Sequence, residues 1–176
     1  YMLPYYVTDS EGTATGDLSA SYAWLESYEI SYYAYEGRAA SLAGSAYASL
    51  ESAYRTYVNE AYLSLPTTTY TYMRSIIEAQ GWNVNTANII DKVAYYVQNA
   101  AIYDLEYDPK LDSAGDVAVA FLRDYKTGVC RHYASAATAI FRAIGIPARY
   151  TTGYLAEAVA GERTPVDNMH GHAWVE

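Results

Sequence analysis

Apolar residues recur at helical spacing through most of the chain, and a two-residue alternation replaces that spacing only near its end. The pattern predicts helices over Ser19 to about Tyr35 and about Ala39 to Tyr62, divided by Gly37. In the second, Leu42, Ala46, Leu50, Tyr54, Tyr57 and Ala61 form one apolar stripe, and Pro66 ends the run. A further helix is predicted over Thr68 to Ala79, stopped by Gln80-Gly81, although its threonine-rich start also favours extended chain. Another opens at Asn85 or Thr86 and carries Ile89, Ile90, Val93, Tyr96, Val97 and Ala100 on its apolar side. Tyr103 to Pro109 reads as a turn-bounded connector, and Asp116 to Tyr125 returns to helical spacing.

From Cys130, the residues Tyr133, Ala137, Ile140, Phe141 and Ile144 fall on one helical face, and Gly145 and Pro147 mark the stop. A strand is expected from Ala148 to about Tyr154, then a loop over 156–169, then a second strand from His170 or Gly171. Helices first and sheet afterwards is an α+β order: N-terminal helices, then an antiparallel sheet packed on the cysteine-bearing helix. Residues 1–66 read as an N-terminal helical extension with a mobile loop near 8–17, and residues 67–176 as the core.

Composition narrows the function classes. Eleven Lys and Arg against 20 Asp and Glu give a formal charge of −9 with no basic cluster, which excludes a nucleic-acid partner on electrostatic grounds. No run approaches the length of apolar sequence that crosses a bilayer. The 22 tyrosines read first as partly buried aromatics and second as a stacking surface for carbohydrate or peptide.

The single cysteine, Cys130, stands at the start of its helix, where unpartnered N–H groups and the helix dipole favour thiolate over thiol. Its own N–H would face the oxygen that turns negative when the thiolate attacks a carbonyl. On the last strand, His172, Trp174 and Glu176 should point one way and Ala173 and Val175 the other, with the smaller side chains packed on the Cys130 helix. His172 is thereby the candidate base, and His170, of the same strand parity, is its rival. His132 lies about 200° around the helix from Cys130 and should face away from the sulfur, in a surface or second-layer role. The spacing of Cys130 and the three histidines is unlike a closed zinc site, and no cofactor or metal is expected. Asp104, Asp108, Asp112 and Asp116, at four-residue intervals, read as a solvated loop and a helix cap.

Three pieces then stand in order: Thr127-Gly128-Val129-Cys130-Arg131-His132-Tyr133-Ala134, Phe141-Arg142-Ala143-Ile144-Gly145-Ile146-Pro147-Ala148-Arg149-Tyr150, and Gly171-His172-Ala173-Trp174-Val175-Glu176. Together they resemble the core of the transglutaminase-like superfamily, with its cysteine-proteinase-like fold. The resemblance implies that Cys130 is the nucleophile and His172 the base, and that His170 is not. It implies cysteine-dependent acyl transfer or hydrolysis on protein or peptide amides, including cell-wall peptide.

In that family an acidic third residue usually follows on the next strand. Asp167 and Glu176 are the nearest carboxylates and neither matches its position, so the resemblance implies a core truncated at its C-terminus and of low activity. Ala53 to Val58 and Tyr62 to Pro66 resemble the approach to the domain in bacterial membrane-anchored members, which implies an extracytoplasmic location and a membrane-anchored parent. The alternative is a non-catalytic cell-wall or protein-binding domain that keeps the fold, or a spacer between membrane segments.

Overall fold

The computed structural model describes residues 48–157 and 162–176. The loop expected near 8–17, the helix from Ser19 and the first residues of the helix from Ala39 lie outside the described residues. The chain divides into two units, Tyr1–Ser49 and Leu50–Glu176, and the second holds the elements that position the candidate site.

Helix α1 covers Ala48–Ala61 and leads through Pro66 into α2, Thr67–Gln80. Pro66, with φ −57°, cannot continue a helix behind it but suits the start of the next. Met73, Ile76 and Ile77 make the i, i+3, i+4 stripe that α2 buries. Gly81 takes the left-handed conformation, φ 67°, and its N–H and that of Trp82 close the last turn on the carbonyls of Glu78 and Ile77.

Helix α3 begins at Ile89, later than the spacing predicts. Asn83 and Thr86 compete for the backbone ahead of it: the Asn83 carboxamide accepts the Asn85 N–H, and the Thr86 hydroxyl accepts the Asn83 N–H. Asn88 then sits at φ 54° before α3 runs to Ala100. The helix buries Ile89, Val93 and Val97, while Ile90 is 65% exposed and does not belong to the apolar face.

Strand β1, Ile102–Tyr103, reaches into the start of the stretch read as a connector and pairs in parallel with β2, Thr127–Gly128. Helix α4 spans only Val117–Ala120 before widening into a π turn over Phe121–Tyr125, so the helix predicted there changes pitch midway. Asp116 caps it by accepting the Val119 N–H at 3.1 Å, and also accepts the Thr69 hydroxyl, which ties α2 to α4.

Helix α5, Cys130–Ile144, is the centre of the unit and packs against α2, α3, α4 and the C-terminal hairpin. Its burial extends beyond the predicted face to Ala136, Ala139 and Ala143, and these small side chains let neighbours approach from several sides. Gly145, at φ 101°, ends it. Strands β3, Tyr150–Tyr154, and β4, Gly171–Val175, pair antiparallel with Tyr150 opposite Val175 and Gly153 opposite His172. Ala173 is buried and Val175 packs on the core, as the alternation requires. The architecture is α+β, with helices followed by an antiparallel hairpin on the cysteine-bearing helix. Among the described residues no helix is long and apolar enough to cross a membrane.

Candidate active site

The approach to Cys130 is set residue by residue. Lys126 turns the chain at φ 55°, Thr127–Gly128 is held against β1, and Val129 is extended at φ −119°, ψ 178°. Cys130 is then the first helical residue, half-buried, with a free thiol. The Val129 carbonyl accepts the His132 N–H at 2.8 Å, closing the first turn. The N–H groups that open such a helix point outward with positive potential, the environment that favours a thiolate.

His132 is completely buried, which corrects the expectation of a surface position and leaves the second-layer one. Burial is tolerated because both ring nitrogens have partners: Nδ1 accepts the Val129 N–H at 3.0 Å, and Nε2 stands 2.9 Å from Asp112 Oδ1. The Tyr107 ring meets the imidazole edge-on, with centroids 4.7 Å apart, and Phe121 stacks on it at 5.8 Å.

Asp112 is more than part of a solvated loop. Besides His132 it accepts the Tyr107 hydroxyl at 2.7 Å and an Arg131 N–H at 2.6 Å. The bond to His132 holds its carboxyl below the usual range, and the Tyr107 and Arg131 contacts add to this. Of the other three acids in that series, Asp108 and Asp116 cap turns, and Asp104 accepts the Glu106 N–H. The clue in the sequence was the spacing of Val129 and His132: an aliphatic residue stands at the helix N-cap, and a ring nitrogen three residues on can reach back to its N–H.

Tyr150 opens the hairpin and feels the charge of Cys130. Burial raises the Tyr150 phenol, and the charge of Cys130 adds to that effect against the opposing pull of Arg131. His172 lies three residues along β4 from Val175, the partner of Tyr150, and its ring stacks with Trp174 at a centroid distance of 6.5 Å. Among the described residues no hydrogen bond joins Cys130 to His172.

The rival histidine is engaged elsewhere. His170 ends a short 3-10 turn, Asn168–His170, ahead of β4, and its Nδ1 is 2.8 Å from the Asp167 carboxylate. Glu176 accepts from Trp174 Nε1 at 3.1 Å and forms an ion pair with Arg149. Among the described residues neither carboxylate hydrogen-bonds His172. Among the described residues, no group of three or more His, Cys, Asp or Glu side chains is arranged to hold a metal ion.

Comparison with known proteins matches residues 74–176 to the transglutaminase-like superfamily core. A protein-glutamine gamma-glutamyltransferase of Pseudomonas aeruginosa is 45% identical over 58 residues, which cover 32% of this chain and 9% of that protein. The uncharacterized protein YebA of Bacillus subtilis is 36% identical over 101 residues, 51% of this chain and 13% of that one. The crystal structure of the periplasmic domain of TgpA from Pseudomonas aeruginosa superposes with a TM-score of 0.51 at 26% identity, covering 68% of this chain and 42% of that domain. The ethylmercury-bound form of the same domain gives a TM-score of 0.50. The chain thus spans a small part of the curated relatives and less than half of the solved domain. With the cysteine helix and histidine hairpin both inside the matched region, the chain belongs to the transglutaminase-like superfamily.

Proposed function

We propose that the chain catalyses cysteine-dependent acyl transfer or hydrolysis on protein or peptide amides, with Cys130 as nucleophile and His172 as base. The observation that carries this reading is the placement of Cys130 as the first residue of the buried helix α5, within the region that matches the family. The relative named as a protein-glutamine gamma-glutamyltransferase supports amide substrates of the glutamine type.

In the proposed reaction His172 takes the thiol proton, and the Cys130 sulfur attacks the amide carbonyl and forms a C–S bond. The Cys130 N–H holds the developing oxyanion. The C–N bond breaks as the imidazolium returns its proton to the departing amine, leaving a thioester. Water then releases an acid, or an amine forms a new amide and frees the thiol. In this reading the Cys130–His172 hydrogen bond forms in the complex with substrate, as catalytic hydrogen bonds often tighten only there. The match to a periplasmic domain supports a location outside the cytoplasmic membrane, with cell-wall peptide among the candidate substrates and a membrane-anchored parent.

The stacking of His172 on Trp174 favours a second reading, a domain that keeps the fold and binds cell-wall peptide or a protein without turnover. Glutamine-containing peptides incubated with and without a primary amine separate the two. Catalysis predicts ammonia release in the wild type, abolished by Cys130→Ala and reduced about 10²- to 10⁴-fold by His172→Ala. Saturable binding with no release, unchanged in Cys130→Ala, would establish the binding domain instead.

A further inference from the structure

We propose that His132 and Asp112 are positioning residues for the Cys130 site: the carboxylate orients the ring, and the ring fixes the backbone from which the thiol projects. The inference rests on the reading of Cys130 as nucleophile.

Val129 occupies the helix N-cap with an aliphatic side chain, so the usual acceptor for the first-turn donors is missing. His132, three residues on, makes the reciprocal half of a capping box and does what Glu or Gln does in the common form. Its two bonds reach both peptides that flank Val129. The ring nitrogen Nδ1 accepts the Val129 N–H, and the His132 main-chain N–H binds the Val129 carbonyl. That carbonyl shares a peptide plane with the Cys130 N–H, the donor assigned to the oxyanion; the main-chain bond of residue 132 holds this peptide, and the ring steadies it by fixing the peptide on the other side of Val129.

The tautomer is specified from both ends. A carboxylate at 2.9 Å accepts, so Nε2 carries the hydrogen, and the neutral ring then presents a lone pair at Nδ1 where the Val129 N–H points. Asp112 is itself fixed by the Tyr107 hydroxyl and by Arg131. Gly128 completes the arrangement: a Cβ there would lie 2.5 Å from Nδ1 and 3.1 Å from the Phe121 ring, so glycine is what lets the imidazole reach the backbone.

The test compares the full 176-residue chain with His132→Leu, His132→Gln and Asp112→Ala. It measures iodoacetamide alkylation of Cys130 in the folded state, hydrogen exchange at the Val129 amide, and the urea midpoint. His132→Leu should slow alkylation per folded molecule by roughly tenfold, the scale of a lost helix cap, and speed exchange at Val129. His132→Gln, able to reach back to the Val129 N–H, should recover most of both. A purely structural role would lower the urea midpoint and speed exchange at Val129 while leaving folded-state alkylation unchanged, and that result overturns the proposal. If His132→Leu does not fold, Asp112→Ala carries the test in the same direction. A wild-type thiol that reacts no faster folded than in urea refutes the nucleophile itself. Wild-type reactivity that persists in a folded His132→Leu refutes only the positioning role.

Discussion

Gly153 faces His172 across the β3–β4 hairpin, and the space above its Cα is filled by the Trp174 indole. A Cβ at residue 153 would come within 2.8 Å of Trp174 Cη2. Because Trp174 stacks on His172, the glycine controls the candidate base through the tryptophan. Gly153→Ala should therefore move the indole and disturb the imidazole, lowering turnover of a peptide amide several-fold and slowing alkylation of the Cys130 thiol with it. Overpacking of this kind costs about 1–3 kcal/mol, which a urea midpoint would register.

Arg142, in the last turn of α5, donates Nε to the Ala148 carbonyl at 2.8 Å and a terminal N–H to the Ser64 carbonyl at 3.0 Å. It joins the cysteine helix to the start of the hairpin and to the segment before α2, with its guanidinium over the Tyr62 ring. Lysine offers a point charge where the planar fork spans two acceptors. Arg142→Lys should lose one of the bonds and destabilise the chain by roughly 1.5–3 kcal/mol, the scale of a hydrogen bond to a charged group. Chemical denaturation of the two proteins checks this.

Acid stability should depend on Asp112. The carboxyl is held below its ordinary range by the bond to His132, then by those to Tyr107 and Arg131. A carboxyl lowered on folding stabilises the folded chain above its unfolded value, and that contribution is lost as the pH falls through the lower folded one. Wild-type stability should thus decline as the pH falls below about 4, the ordinary carboxylate value, and Asp112→Ala should flatten part of that limb. The group is partly exposed, so solvent screening limits the effect to about 1 kcal/mol or less. Urea midpoints measured through that range read it directly.

How far the sequence foretold this arrangement depends on the range of the forces involved. The α5 helix, its glycine stop and the inward Ala173 and Val175 were legible because helical and strand periodicities are local properties of the chain. The family was legible in motifs for the same reason. The burial of His132 was not, since it depends on Asp112, Tyr107 and Phe121, which the fold gathers from separate turns. The delayed start of α3 was hidden by side chains that compete for backbone donors, and the β1–β2 pairing by its non-local partner. Ile90 shows the limit of counting apolar positions: it fits the helical spacing and still faces solvent.

Acyl transfer through Cys130 is tested by intact-mass analysis of the chain after brief exposure to a glutamine-peptide active ester. A catalytic thiol gives one acyl adduct on Cys130, formed faster in the folded chain than in urea, slowed in His172→Ala, absent in Cys130→Ala, and discharged by hydroxylamine as a thioester. An adduct that forms equally fast in the unfolded chain, or none at all on Cys130, would contradict that role.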